Sequence, residues 1–174
     1  MLSDEQIRGG AAAPPRKVLI LGVGNVLLSD DGFGVHLINS LADTPFPPNV
    51  QILEAGTVSH QLIPLFRGLD HLIIIDVVEA GDTPGSLFRF SPEDLQFTKE
   101  QMVSLHQISL IDVLAMAELT GGKPKTVIIG VQPQDVSTWS LELTGPVKAV
   151  LPKVKELVFE ELRKIGAVNT ASRT

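Results

Sequence analysis

Apolar and polar positions alternate along this chain in two distinct rhythms. Lys17 to Leu21, Val50 to Leu53, His71 to Val78, Ser86 to Phe90 and Thr126 to Val131 are short β-branched or apolar runs bounded by turn residues, which predict strands. Between them, apolar residues recur at helical spacing. Val35, Ile38, Leu41 and Ala42 predict one helix, with Ser29, Asp30 and Asp31 as candidate caps at its start. Leu62, Leu65 and Phe66 predict a second, shortened by Pro64. A long helix is expected from Leu105 to Leu119, opened by Ser104 and Gln107 in capping-box spacing and closed by Gly121-Gly122. The last carries Val147, Val150, Leu151, Val154, Leu157, Val158, Leu162 and Ile165 as one stripe, started by Pro146, kinked at Pro152 and stopped by Gly166.

Strands alternating with helical segments predict an α/β fold with a mostly parallel sheet covered on both faces. The link from Val78 to Ser86 is too short for a crossover helix, so the strand Ser86 to Phe90 is expected to run antiparallel. One domain is expected over residues 17–166, with 1–16 as a flexible leader and 167–174 as a frayed tail. The periodicity does not determine the order of the strands.

Composition then narrows the chemistry. A net charge of −6, from 20 acidic against 14 basic residues, argues against nucleic acid and acidic lipid as partners. The absence of cysteine removes disulfides, thiolate metal sites and a cysteine nucleophile, so a metal would need nitrogen and oxygen ligands. Residues 1–15 lack the apolar run of a secretory signal, and no run reaches the roughly 18 residues of a spanning helix, so a cytoplasmic location is expected. No nucleophile elbow and no phosphate-binding loop ending in lysine and hydroxyl is present.

The segment from Gly22 to Gly34 leaves a strand and enters a helix, and admits three readings. A dinucleotide fingerprint would need glycine where Leu27 stands, and Glu54 lies too far along for its acidic partner. A structural turn would use the glycines for conformation and an aspartate as cap. The third reading makes one of Asp30 and Asp31 a ligand. Asp76 favours it, because a carboxylate at the end of an apolar strand is costly unless paired or bound to a cation. His106, in the first turn of its helix, can lean over the same edge. Such a donor set suits nickel, zinc, manganese or iron. His36, His60 and His71 read as solvated or structural, and Trp139 as a packing anchor or a partner contact.

Leu21-Gly22-Val23-Gly24-Asn25 with Asp30-Asp31-Gly32-Phe33-Gly34-Val35, then Glu54-Ala55-Gly56-Thr57, then Asp70 through Asp76, then Leu105-His106-Gln107 with Asp112-Val113-Leu114, and finally Gly130-Val131-Gln132-Pro133 occur in that order. Together they resemble the hydrogenase maturation proteases, and the resemblance runs from Lys17 to Gly166. It implies a three-layer α/β/α sandwich with a five-stranded sheet, one strand antiparallel. It also implies an endopeptidase that removes the C-terminal extension of a nickel-iron hydrogenase large-subunit precursor, with that precursor as partner and its nickel supplied by the substrate. The family's nickel-binding roles fall on Asp31, Asp76 and His106, where the loop carboxylate is often glutamate and here is the shorter aspartate. Gly24, Asn25, Gly56 and Thr57 are the expected substrate-loop residues. Two alternatives stand beside this reading: a nucleotide-binding or regulatory module using the Gly22–Gly24 loop, and a metallopeptidase with a resident metal.

Overall fold

In the computed structural model, residues 14–57, 60–94 and 105–168 are described, the side chains of 105–109 excepted. Five strands, β1 (Val18–Val23), β2 (Val50–Gly56), β3 (His71–Val77), β4 (Leu87–Phe90) and β5 (Lys125–Val131), form one sheet in the order β2-β1-β3-β5-β4. β1, β2, β3 and β5 are mutually parallel, and β4 runs antiparallel to β5, pairing Leu87 with Val131 and Phe90 with Ile128. The short connection does force the chain to turn back.

The helices are α1 (Phe33–Ser40), α2 (Ile63–Phe66), α3 (Leu105–Leu119), α4 (Gly145–Ala149) and α5 (Leu151–Lys164). Every residue of β1 and β3 is buried, as central strands with helices on both faces require. Alternation then sorts the core into two layers. Ile73, Ile75 and Val77 pack with Phe33 and Leu37 of α1 and Val154, Val158 and Leu162 of α5. Leu72 and Ile74 face the other way, onto Phe66 of α2 and Leu110, Val113 and Ala117 of α3. The three-layer α/β/α architecture follows.

Local chemistry accounts for the departures from expectation. The helix anticipated around Leu62 contracts to a 3-10 turn, His60–Leu62, and the single turn of α2, with Pro64 in its first positions. The final helix breaks into α4 and α5 at Val150, two residues before Pro152. It ends at Gly166, whose φ of 70° suits glycine. None of Ser29, Asp30 and Asp31 caps α1 with its side chain; they form a 3-10 turn, Ser29–Gly32, and Gly32 is the N-cap. Ala167 is buried and Val168 packs against the core, so these two residues belong to the folded unit rather than to a frayed tail. The capping-box residue Ser104, the leader 1–13 and residues 169–174 lie outside the described residues.

The strand order places a reversal between β1 and β3: from β1 the chain moves outward to β2, then crosses back to β3 on the opposite side. In open parallel sheets the crevice at the carboxyl ends of such a strand pair is where ligands bind.

Candidate functional site at the carboxyl edge of the sheet

The loop leaving β1 is built around two close approaches. Gly24 has a φ of 135°, and a Cβ there would fall inside the carbonyl of Asp31. Gly34 lies so near the backbones of Val23 and Ile75 that any side chain would displace α1 from the sheet. These glycines let the 3-10 turn fold back onto the strand ends, where it packs against β3. Ser29, within that turn, holds a φ of 49°, a strained value for a residue with a side chain.

The two adjacent aspartates have different work. Asp30 is 0% exposed, and its carboxylate accepts hydrogen bonds from the amides of Gln134 (2.8 Å), Asp135 (3.0 Å) and Thr144 (2.8 Å) and from the Thr144 hydroxyl (2.9 Å). It ties both ends of the β5–α4 loop to the glycine loop. Asp31, 4% exposed, accepts the Asn25 amide at 3.0 Å. Asp76, 2% exposed, is the penultimate residue of β3 and accepts the Val77 amide at 2.8 Å. Alternation points it to the face that carries α3.

The third predicted residue, His106, occupies the first turn of α3. The far end of α3 leads within a few residues into the start of β5, and Gly122 abuts the backbone of Phe66 and Arg67. A 15-residue helix is about 22 Å long, close to the length of a seven-residue strand, so α3 spans the sheet and begins at its carboxyl edge. His106 lies one turn ahead of Leu110 along α3. The structure thus brings the backbone position of His106 and the carboxylates of Asp31 and Asp76 to one edge of one face pair. The His106 side chain lies outside the described residues, and among those no three acidic or imidazole groups cluster as a metal site.

Gly24 and Gly56 also meet, the Gly24 amide donating to the Gly56 carbonyl at 2.8 Å. Asn25 stands partly exposed beside Asp31, and Thr57 is exposed at the end of β2, so all four expected substrate-loop residues line the same rim. His71 sits at the opposite end of β3, and His60 is exposed in the turn before α2. His36 is half-buried on α1 beside Gly32.

The nucleotide reading meets an obstacle in the loop's amides. Those of Gly24, Asn25, Leu27, Leu28, Ser29, Asp30 and Asp31 are each donated within the protein, to Gly56, Asp31, Asn25, Asn25, Ser140, Asp135 and Leu28 respectively. A phosphate cradle requires such groups to point outward and unspent.

Two positioning residues escaped the sequence reading. Asp30 reads as a candidate cap or ligand, and Gln132 appears only within the Gly130-Val131-Gln132-Pro133 motif, with no role of its own. Gln132 is buried, and its Oε1 accepts the amides of Ala80 and Asp82, fixing the β3–β4 loop over the edge. Trp139 is 79% exposed, which removes the packing-anchor reading.

Comparison with known proteins identifies the family. The model of a family described as hydrogenase maturation protease matches residues 35–161. The hydrogenase expression/formation protein HupD of Rhizobium leguminosarum is 34% identical over 91% of this chain and 80% of its own length. The hydrogenase 2 maturation protease of Escherichia coli is 34% identical over 86% and 93%. The solved structure of the hydrogenase maturating endopeptidase HybD from Escherichia coli superposes with a TM-score of 0.78 at 32% identity, covering 86% of this chain and 94% of that one. A [NiFe] hydrogenase maturation protease from Thermococcus kodakarensis superposes with a TM-score of 0.71 at 25% identity, covering 91% and 97%. With most of its length matched by the family model and by relatives above 30% identity, the chain belongs to the hydrogenase maturation proteases.

Proposed function

We propose that this endopeptidase removes the C-terminal extension of a nickel-iron hydrogenase large-subunit precursor after nickel has been inserted, and that it recognises its substrate through that nickel. The observation that carries the reading is the placement of two almost fully buried carboxylates, Asp31 in the 3-10 turn that follows β1 and Asp76 near the end of β3, beside the topological switch, with α3 starting at the same edge. Burying acids stabilises a fold poorly, so their retention at a ligand crevice points to a cation.

In this reading Asp31, Asp76 and His106 complete the coordination of the substrate's nickel and thereby fix the nearby peptide bond. Water adds to the scissile carbonyl carbon, the carbon–nitrogen bond breaks, and the water's proton passes to the leaving amine. The nickel polarises the carbonyl or activates the water, or a carboxylate serves as general base; the pH dependence of turnover separates these routes. No helix among the described residues is long and apolar enough to cross a membrane.

The test is to incubate the purified protein with nickel-loaded and nickel-free precursor and follow the loss of the extension. Cleavage of the loaded form alone is expected. Equal cleavage of both overturns recognition through nickel, and cleavage of neither overturns the assignment of substrate.

A further inference from the structure

Single apolar residues scattered on a surface need no explanation, but three gathered on one rigid frame do. Leu27 is 45%, Trp139 79% and Leu141 61% exposed. Their segments are hydrogen-bonded side by side: Leu28 and Ser140 form a parallel bridge, the Ser29 amide donates to the Ser140 carbonyl at 2.9 Å, and the Ser140 amide donates to that of Leu27 at 3.0 Å. In that register Leu27 falls beside Trp139, and Leu141 follows two residues on.

The frame has little freedom. Asp30 holds Gln134, Asp135 and Thr144, the Ser29 hydroxyl donates to the Glu142 carbonyl at 3.1 Å, and Asp135 Oδ1 accepts the amides of Ser137 and Thr138. Side chains displayed on such a loop lose little entropy on binding. Nearby charge is matched internally, since Glu142 pairs with Lys148 at 3.1 Å and the Asp135 carboxylate is engaged by its own turn. The surface therefore selects apolar contact rather than a charged partner. It adjoins the candidate site along the chain, because Asp30, which anchors it, immediately precedes Asp31.

We propose that Leu27, Trp139 and Leu141 form a docking platform for an apolar stretch of the large-subunit precursor flanking the bond to be cut, and so determine substrate specificity. The proposal rests on the protease reading above. Trp139 is the single tryptophan of the chain, so 5-fluorotryptophan labels this position alone.

The probe is the nickel-loaded precursor, added to labelled protein for fluorine resonance and to unlabelled variants for kinetics. The resonance is expected to move on addition. Trp139→Ala and Leu141→Ala are expected to raise KM about tenfold, the loss falling on KM rather than kcat, with Trp139→Phe recovering most of it. Leu119→Ala, an exposed apolar residue at the far end of α3, serves as control and keeps the wild-type KM. Cleavage by wild type with an unmoved resonance and unchanged KM in both alanine variants overturns the platform while leaving the protease reading intact. Failure of wild type to cleave overturns the protease reading and the platform with it.

Discussion

The same three strands, β1, β3 and β5, end in two edges that treat charge in opposite ways. At the carboxyl edge Asp30, Asp31 and Asp76 are buried and accept hydrogen bonds from backbone amides. At the amino edge Asp70 accepts the Lys17 amide at 2.8 Å where solvent has access, and Arg16 Nη1 stands 3.4 Å from His71 Nε2. Arg89, Lys125, His71 and Glu161 line a shallow cavity on that side, with Arg89 and Glu161 paired at 2.8 Å. The amino edge pairs its charges with countercharges where solvent has access. The carboxyl edge holds acids where the topology opens a crevice. That asymmetry, more than any single residue, supports the proposal that the carboxyl edge is the working end.

Substituting the carboxyl-edge residues tests the contrast most severely. Asp76→Asn and His106→Ala are each expected to lower cleavage of nickel-loaded precursor by about a thousandfold while the melting temperature changes little. Retained activity in Asp76→Asn, measured by loss of the extension on a gel, would remove Asp76 from the site and leave the asymmetry without a functional cause.

Asp30 should behave in the reverse manner to its neighbour. Asp30→Ala leaves the amides of Gln134, Asp135 and Thr144 without their acceptor, a loss of about 3 kcal/mol in stability. Urea unfolding measures it, and a loss below about 1 kcal/mol would show that the loop is held by other means. The distinction between Asp30 and Asp31 is the one a linear reading misses most readily. Acid before a helix looks like a cap, and nothing local reveals that the partners of Asp30 lie 104 to 114 residues further along.

Much else was legible. α3 spans the expected Leu105–Leu119, and the strands differ from expectation by at most three residues at an end, because burial imposes a readable period on both. Asp76 was recognisable as a strand-end acid from neighbouring residues alone, whereas only the family resemblance singled out Asp31 over Asp30. Strand order was not, since periodicity reports which way a side chain faces and says nothing of which strand lies beside it. The exposed Trp139 carried no polarity signal to separate display from packing.

Glu161 tests the amino side. The Arg89 guanidinium, hydrogen-bonded to it, lowers its pKa from 4.5 to about 2, and Lys164 adds to the effect. A depressed carboxylate contributes stability that is fully present above pH 4.5 and is lost as pH falls toward 2. Because Arg89 is half exposed, the contribution is about 1 to 2 kcal/mol. Glu161→Gln is therefore expected to cost that much at neutral pH, to flatten the acid limb of stability against pH, and to leave cleavage unaltered. An acid limb identical to wild type would show that the pair is stabilised no more than in the unfolded chain.

His71 supplies the smallest and most selective contrast. Burial first, then the positive charges of Arg16 and Lys125, lower its pKa below 6.5, with Asp70 opposing them. The folded protein thus holds the imidazole neutral more firmly than the unfolded chain does. Stability from this source is level above pH 6.5 and declines as pH falls below it, because the unfolded state takes up the proton first. His71→Gln should remove that decline without touching the lower window belonging to Glu161. Urea midpoints at pH 7.5 and pH 5.5 resolve it: the wild-type difference between the two should shrink in the variant. Because His71 is at the amino end of β3 and Asp76 near the carboxyl end, cleavage at pH 7.5 should not change. A variant that lost cleavage while keeping its stability would mean that the two edges are coupled through β3, and the division of labour between them would fail.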